Sequence, residues 1–310
     1  MATVPRKYAV IQQSSNVTGD IISKAKNCRN CFMVSIDMED CAYLWLNDRS
    51  KDVWDVSVGY MLELGYEGLS TLEGRNVRMS VASWTNYDTV YVDNCHSSGN
   101  LFGCSGLHSK QYCILNKQYT KEQYEELVPK IIKHMNDMPY IDHKGRSYGY
   151  GEFFPSELSP FCYNETIAQE YFPLTKEQAL EQGYKWKDRE PRNYQIDILN
   201  KDIPDDIREV KEDIVNKVIE CKNKGREETQ CTEAFKIIED ELKFYQRMNL
   251  PLPRHCPNCR HYQRLKQRNP LKLWHRKCMK PGCSNEFETS YAPERPEIVY
   301  CEECYKKEVY

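Results

Sequence analysis

The residues whose types and spacing could do chemistry are cysteines in the last third of the chain. Eight of the fifteen cysteines lie between positions 221 and 304. They form two sets in the same order, a spaced pair and then a Cys-x-x-Cys pair: Cys221, Cys231, Cys256 and Cys259, followed by Cys278, Cys283, Cys301 and Cys304. A Cys-x-x-Cys turn delivers two thiolates, and a second pair completes the tetrahedral shell that Zn²⁺ prefers. The spacing therefore predicts two zinc ions, each in a closed four-thiolate shell that is structural rather than catalytic.

The two cysteine sets are also alike in the residues that follow their second member. Cys231 opens the segment Cys-Thr-Glu-Ala-Phe, and Cys283 opens Cys-Ser-Asn-Glu-Phe. This likeness indicates an internal duplication, two zinc ribbons in tandem. The alternative is a group of unrelated reduced cysteines, because free cysteine is often buried as a small hydrophobic residue. The neighbouring His255, His261 and His275 leave open whether a histidine replaces one thiolate.

The number and placement of the cysteines also bear on the compartment. Fifteen is an odd number, and a chain of 310 residues is too long for a small disulfide scaffold. The N-terminus MATVPRKYAV has no apolar run after its basic residues, and no stretch reaches the length of a membrane helix. We therefore expect a cytoplasmic protein without a signal peptide or membrane span, in which reducing conditions favour metal binding over disulfides.

A basic and aromatic stretch overlaps the cysteine sets. No acidic residue occurs between positions 243 and 285. The candidate nucleic-acid-binding residues in it are Arg247, Arg254, Arg260, Arg264, Lys266, Arg268, Lys272, Trp274, Arg276 and Lys277. Arginine donates bidentate hydrogen bonds to phosphate, and an exposed aromatic ring can stack on an unpaired base. The formal net charge of the chain is −3, so contact with DNA or RNA would have to come from this local patch. Alternatively, the charge offsets the negative zinc–thiolate centres or is merely solvated.

The first 118 residues predict a β-rich domain. Short apolar alternations such as those at 52–58, 77–81 and 89–95 are separated by turn residues. We interpret them as strands whose inward side chains are two residues apart, in units that recur at roughly twenty residues. This repeat favours a short parallel β-helix, which is one kind of β-solenoid. A β-sandwich is the competing interpretation. In the β-helix, Cys95, Cys104 and Cys113 are expected to pack in the core.

The middle of the chain carries helical signals. A capping box at Thr120 and an apolar stripe predict a helix over 120–137, which Pro129 should bend or interrupt. A second helix start is indicated at Thr175, and the spacing of apolar residues predicts a helix over 204–220. The expected fold class is a β + α multidomain protein. Its domains are a solenoid-like β domain at 1–118, a helical and irregular connector at 119–200, and a helix with two four-cysteine zinc ribbons at 201–310.

Signals for catalysis are weak. Asp93, Cys95, His96, Cys104 and His108 lie close in sequence, and a Cys–His pair could form a thiolate nucleophile. In β-helix turns, however, such residues commonly satisfy backbone groups. The sequence contains no Walker loop, dinucleotide fingerprint, Gly-x-Ser-x-Gly or His-Glu-x-x-His motif. The balance leans against an enzyme.

The C-terminal segments bear a family resemblance. ELKFYQRMNLPLPRHCPNCR at 241–260 resembles the zinc-ribbon family in which a Phe-Tyr, proline and Cys-x-x-Cys-Arg segment closes the metal site. The tail at 287–305 looks like that of uncharacterised tandem zinc-ribbon proteins of environmental bacteria, and the segments at 100–107 and 111–119 look similar to their N-terminal regions. The resemblance implies a zinc fold and little about activity. It implies that Cys256 and Cys259 bind the first ion and that Cys301 and Cys304 bind the second. The wide spacing of Cys221 and Cys231 departs from that pattern.

These features together favour a zinc-binding, non-enzymatic protein that presents a basic ribbon surface to DNA or RNA. The alternative is a structural or assembly protein, in which the β-solenoid is a shaft and the ribbons form a cap for protein partners. An enzyme with its site on the β-domain surface is the third hypothesis.

Overall fold

Side chains that are small or apolar recur at every third position from 41 to 104. They point inward in a parallel β-solenoid, the main element of the N-terminal part of the chain. The structure, a computed structural model, describes residues 4–34, 36–190, 192–226 and 229–309. Strands in successive rungs pair in parallel twelve residues apart, as Tyr87 does with Gly99 and Gly99 with Gln111. Each rung therefore directs four side chains inward, one from each three-residue side.

The solenoid strands are β1 Arg6–Lys7, β2 Val10–Gln12, β3 Ile21–Ser23, β4 Ala25–Lys26, β5 Met38–Glu39, β6 Trp45–Asp48, β7 Lys51–Asp93, β8 Gly99–Phe102, β9 Gln111–Ile114 and β10 Lys117–Gln118. β7 runs unbroken through more than three rungs. Pairing is parallel from β4 to β9, and β10 folds back antiparallel on β9.

Each corner of the solenoid is made by a residue with a left-handed backbone. From Asp40 to Asn100, every residue that precedes an inward position has a φ between 44° and 60°. Asparagine and aspartate tolerate this conformation better than other side chains. They are concentrated on one line of corners, at positions 40, 52, 76, 88 and 100. On this line the Asn27 amide donates to the Asp40 carboxylate at 2.8 Å and the Asn76 amide to the Asp88 carboxylate at 2.7 Å. These side-chain hydrogen bonds link successive rungs at the corners, where the left-handed backbone conformation costs the most free energy.

The solenoid confirms the parallel β-helix expected for this region, but the expected periodicity was wrong. Inward residues are three apart rather than two, and the rungs repeat every twelve residues rather than roughly every twenty. Each side is too short for strand alternation, because the chain turns after every third residue. Cys95, Cys104 and Cys113 all point inward and are buried, as expected.

A helix packs beside the last rungs. Helix α1 (Lys121–Asp137) begins at Thr120 with the expected capping box and continues through Pro129 without interruption. Its apolar face, including Tyr124 and Ile131, packs against the solenoid residues Phe102 and Ile114. The hairpin of β11 (Tyr140–Ile141) and β12 (Ser147–Tyr148) follows. α3 (Lys176–Glu181) starts next to Thr175, as predicted.

The segment expected as a helix at 204–220 does not form one. Two short 3₁₀ turns, Ile207–Glu209 and Glu212–Ile214, are followed by β13 (Ile219–Glu220). Asn216 has a φ of 63°, which ends any helical path before the strand. The apolar residues of the segment are nevertheless buried, in a core that they share with the first cysteine set.

The chain divides into two compact units that do not follow consecutive sequence. Unit 1 contains Met1–Phe161, Glu177–Lys185 and Pro270–Tyr310, and unit 2 contains Cys162–Lys176 and Trp186–Asn269. The three consecutive domains at 1–118, 119–200 and 201–310 stay a prediction. In the structure, β17 (Val299–Tyr300) pairs in parallel with β1 near the start of the chain. The two cysteine sets consequently belong to different units.

The remaining elements are divided between the two units. Unit 2 adds α2 (Ala168–Tyr171), β14 (Ala234–Phe235), α4 (Glu239–Met248) and α5 (Pro257–Leu265), and unit 1 adds β15 (Trp274–Lys277), β16 (Glu286–Thr289) and α6 (Glu302–Val309). Within the described ranges, none of the helices has the length and apolar character needed to cross a membrane.

Candidate metal centres

The first cysteine set is assembled by a hairpin and the start of a helix. β13 pairs antiparallel with β14. Cys221 directly follows β13, and Cys231 lies three residues before β14, so both thiols come from the turn of this hairpin. Cys256 is the N-cap of α5, and Cys259 lies in its first turn. The second pair of sulfurs is therefore delivered by a helix N-terminus rather than by a second hairpin.

The sulfur geometry of this first cluster fits one tetrahedral metal ion. The Sγ atoms of Cys221 and Cys259 are 3.9 Å apart, and those of Cys231 and Cys256 are 4.0 Å apart. A tetrahedral shell with metal–sulfur bonds of ~2.3 Å requires sulfurs ~3.8 Å apart. All four side chains have an exposed fraction of 0%. The cluster can therefore hold an ion in a closed shell, which is the arrangement that structural zinc sites use.

Hydrogen bonds donated to the sulfur atoms of the first cluster favour their ionised, thiolate form. The amide N–H of Cys256 donates to Cys221 Sγ at 3.2 Å, and that of Gly225 donates to Cys231 Sγ at 3.3 Å. The Asn223 side-chain amide donates to Cys259 Sγ at 3.2 Å. Such donors stabilise negative charge on sulfur, as does the positive end of the α5 dipole.

The thiols of the first cluster differ in acidity. Burial opposes ionisation of Cys256, but the hydrogen bonds from Thr232 and Cys259 together outweigh it and lower the pKa of this thiol to about 6. Burial raises the pKa of Cys221 and of Cys259. Metal binding to the cluster must therefore displace protons from the less acidic thiols, so the affinity for metal falls as the pH falls.

The second cysteine set repeats the same layout in unit 1. β15 pairs antiparallel with β16. Cys278 directly follows β15, and Cys283 lies three residues before β16. Cys301 directly precedes α6, and Cys304 lies in its first turn. The Sγ atoms of Cys283 and Cys301 are 3.9 Å apart, and the four sulfurs all lie within 4.8 Å of one another.

Hydrogen bonding in the second cluster parallels that in the first. The amide N–H of Cys301 donates to Cys278 Sγ at 3.3 Å, which matches the bond from Cys256 to Cys221. The Asn285 amide donates to Cys301 Sγ at 3.4 Å. Burial opposes ionisation of Cys301, but this amide and further donors lower the pKa of its thiol to about 7.

The clusters differ in accessibility. Cys278 and Cys301 are buried, whereas Cys283 and Cys304 are only half-buried. In the first cluster all four thiols are buried. An ion in the second cluster is therefore the easier of the two for water and chelators to reach.

The neighbouring histidines lie outside both clusters. In the described part of the chain, the groups of side chains that could hold a metal ion consist of these eight cysteines. His275 is held between Glu286 and Glu288, with N–O distances of 2.9 Å to each, and His261 pairs with Glu170 at 3.0 Å. Each cluster has its own four sulfurs without a histidine.

Two residues that help to build the clusters escaped the sequence interpretation. Asn223 and Asn285 each donate a side-chain amide hydrogen bond to a cluster sulfur. Both lie two residues after a ligand, in the segments Cys221-Lys-Asn and Cys283-Ser-Asn. A shared Cys-x-Asn motif was the available signal.

The candidate nucleic-acid residues do not lie in one unit. Arg247, Arg254, Arg260, Arg264, Lys266 and Arg268 belong to unit 2, and Lys272, Trp274, Arg276 and Lys277 belong to unit 1. The ten candidates are therefore divided between the two units, and their binding to nucleic acid stays a prediction.

Several of these basic side chains are engaged by partners from distant parts of the sequence. Arg254 contacts the Asp205 carboxylate at 2.5 Å, and Arg260 lies 3.7 Å from that of Glu241. Lys277 pairs with Glu286 at 3.0 Å. Arg276 donates to the backbone carbonyls of Tyr291 and Ala292, and Arg268 donates to the Tyr171 hydroxyl and lies over its ring.

Arg247, Arg264, Lys266 and Lys272 have no ion pair with an acidic side chain among the residues that the structure describes. Arg247 lies over the Phe244 ring, and Lys272 over the Trp274 ring. Arg264 and Lys266 are exposed at the C-terminal end of α5. The basic surface around the first cluster is thus smaller than the sequence indicates.

The weak catalytic candidates are not arranged as a nucleophile and base. Cys95 is an inward residue with an exposed fraction of 0%, and burial raises the pKa of its thiol. His96, one residue later, points outward and contacts the Asn94 side chain at 3.0 Å. Its ring packs against Trp84 at a tilt of 52°, with ring centroids 4.8 Å apart. The thiol and the imidazole therefore lie on opposite sides of the solenoid wall.

Comparison with known proteins does not assign the chain to a family. No family model, curated protein or solved structure matches it. The resemblance of the C-terminal segments to tandem zinc-ribbon proteins of environmental bacteria stays a prediction.

Proposed function

We propose that this chain is a zinc-dependent structural scaffold, in which two ribbon-like modules each hold one Zn²⁺ through four thiolates and no reaction takes place at the metal. The observation that carries the proposal is the docking of the second module on the solenoid, where β17 lies between the first rung and the ligand Cys301. A metal at this position stabilises the shaft itself. The module in unit 2 is then the part available to partner proteins.

The four-thiolate shells support a structural rather than a catalytic metal. A catalytic zinc keeps one coordination position for water or substrate, whereas four protein thiolates fill the tetrahedron. The buried sulfurs of the first cluster and their N–H donors add to this argument, because they leave little room for a fifth ligand.

Metal analysis tests the proposal directly. We expect two zinc ions per chain by mass spectrometry of the native protein, and one in each of the variants Cys259→Ser and Cys301→Ser. In the Co²⁺-substituted protein, added azide should leave the visible absorption unchanged, since no open position exists. Iron in place of zinc, or a spectral shift with azide, would contradict the proposal.

Nucleic-acid binding is a second candidate function, favoured by the exposed Arg264 and Lys266 at the end of α5. Binding through phosphates would weaken steeply with salt, because each contact releases counterions. We expect Arg264→Ala with Lys266→Ala to flatten the salt dependence of binding to single-stranded DNA or RNA. Lys236→Ala, an exposed lysine of the same unit, is the matched control. If neither single-stranded DNA nor RNA binds at low salt, nucleic-acid binding is refuted as a function of this chain.

A further inference from the structure

The first rung of the solenoid is covered by a strand that ends at a metal ligand. The amide N–H of Arg6 donates to the Ile298 carbonyl at 2.7 Å, and that of Tyr8 donates to the Tyr300 carbonyl at 3.0 Å. The next residue is Cys301 of the second cluster. The position of β17 on the rung is therefore determined on one side by these hydrogen bonds and on the other by the cluster.

The hairpin of the second module docks on the same rung and on the one after it. Thr289 Oγ1 donates to the Tyr8 carbonyl at 2.6 Å, and Ser290 Oγ donates to the Asp20 carboxylate at 2.7 Å. Both hydroxyl residues have an exposed fraction of 0%. The Tyr8 ring packs against Phe287, with centroids 4.9 Å apart. The module thus covers polar backbone and apolar side chains of the first rung.

Release of the module would leave the first rung with an open strand edge. The amides of Arg6 and Tyr8 would lose their acceptors, and an exposed edge is a template for another strand. At the other end, β9 remains covered by β10, which pairs Lys117 with Ile114. Among the described residues, only the first-rung edge opens when the module is released. Association would therefore close as a two-fold pair of identical edges instead of growing into a fibre.

We infer that the second cluster is a metal-held cap, and that loss of its metal lets the first rung pair with the first rung of a second copy of this chain. The inference rests on the zinc binding proposed above for that cluster. The half-buried Cys283 and Cys304 make it the cluster that loses metal first when a chelator is added. The partner is the chain itself, since the two edges are identical and pair antiparallel across a two-fold axis.

The test compares one ligand variant from each cluster in the full-length chain. Hydrogen exchange should show fast exchange of the first-rung amides, including Tyr8, in Cys301→Ser and not in Cys259→Ser. Light scattering after gel filtration should show the wild type at its 36.6 kDa monomer mass and Cys301→Ser at twice that mass. A sub-stoichiometric chelator added to the wild type should produce the same dimer.

A blocking variant identifies the interface. Proline cannot donate a hydrogen bond to a partner strand, so adding Arg6→Pro to Cys301→Ser should return the protein to a monomer. A dimer that persists with Arg6→Pro, or a Cys301→Ser variant that remains monomeric with a protected first rung, would overturn the inference. Fast exchange through the last rungs, around Leu101, would also overturn it, because the module contacts the first two rungs and cap release acts there.

The measurements separate this inference from the proposed function. A wild type that contains no zinc refutes the proposed function, whatever its oligomeric state. A wild type with two zinc ions, of which Cys301→Ser loses one without dimerising, leaves the proposed function standing and refutes the cap.

Discussion

Replacing Cys259 with serine should unfold unit 2 and leave the solenoid folded. Binding of structural zinc is worth about 10–16 kcal/mol in small zinc modules, as much as the whole stability of a typical domain. The sulfurs of this cluster also form part of the unit 2 core, together with Ile219, Ile237 and Leu242. Losing one ligand therefore removes both the metal and the packing around it.

Limited proteolysis and hydrogen exchange measure this effect by position. We expect peptides from 221–265 to lose protection in Cys259→Ser, while peptides from 77–114 keep theirs. Cys162→Ser is the matched control, because that cysteine lies in the same unit and outside both clusters. Retained protection at 221–265 after complete chelation would show that the hydrophobic core alone holds unit 2.

Replacing Leu101 with alanine should destabilise the solenoid strongly. Leu101 has an exposed fraction of 0% and points into the stack between Thr89 and Cys113. Truncation of a buried leucine costs about 2–5 kcal/mol, because apolar burial is lost and a cavity remains. In a solenoid each rung contacts only its neighbours, so the local loss also weakens the adjacent rungs.

Urea unfolding followed by circular dichroism measures this cost. Leu115→Ala is the control, since that leucine is one rung away but 76% exposed. Its effect should stay within about 0.5 kcal/mol, as for other surface substitutions. Equal destabilisation by the two variants would contradict inward packing at every third residue.

Local signals explain which elements could be predicted. The capping box at Thr120 and the stripe after it are contained within one helix, and α1 follows them closely. The segment at 204–220 has similar spacing of apolar residues, yet it packs these residues from 3₁₀ turns and extended chain. Its burial was predictable from the sequence, whereas its conformation depends on the core of unit 2.

The period of the inward residues in the solenoid was predicted wrongly for a different reason. A period of three is present in the sequence from Cys41 to Cys104. Its positions hold glycine, serine, threonine or asparagine more often than apolar residues. A search for alternating hydrophobicity does not detect such a pattern. The stacking of Asn47, Gly59 and Thr71 becomes evident only when the rungs are aligned every twelve residues.

The sequence by itself determined the two four-cysteine sets, because metal ligation in each depends on short spacings within a hairpin turn and at one helix start. Only the tertiary structure decided where each set acts. The strand beside Cys301 pairs with Arg6 at the other end of the chain, and acidic residues such as Asp205 reach arginines in the acid-free stretch. Spacing along the chain carries information about neighbours in sequence, whereas strand pairing and ion pairs across long separations depend on the packing of the whole unit.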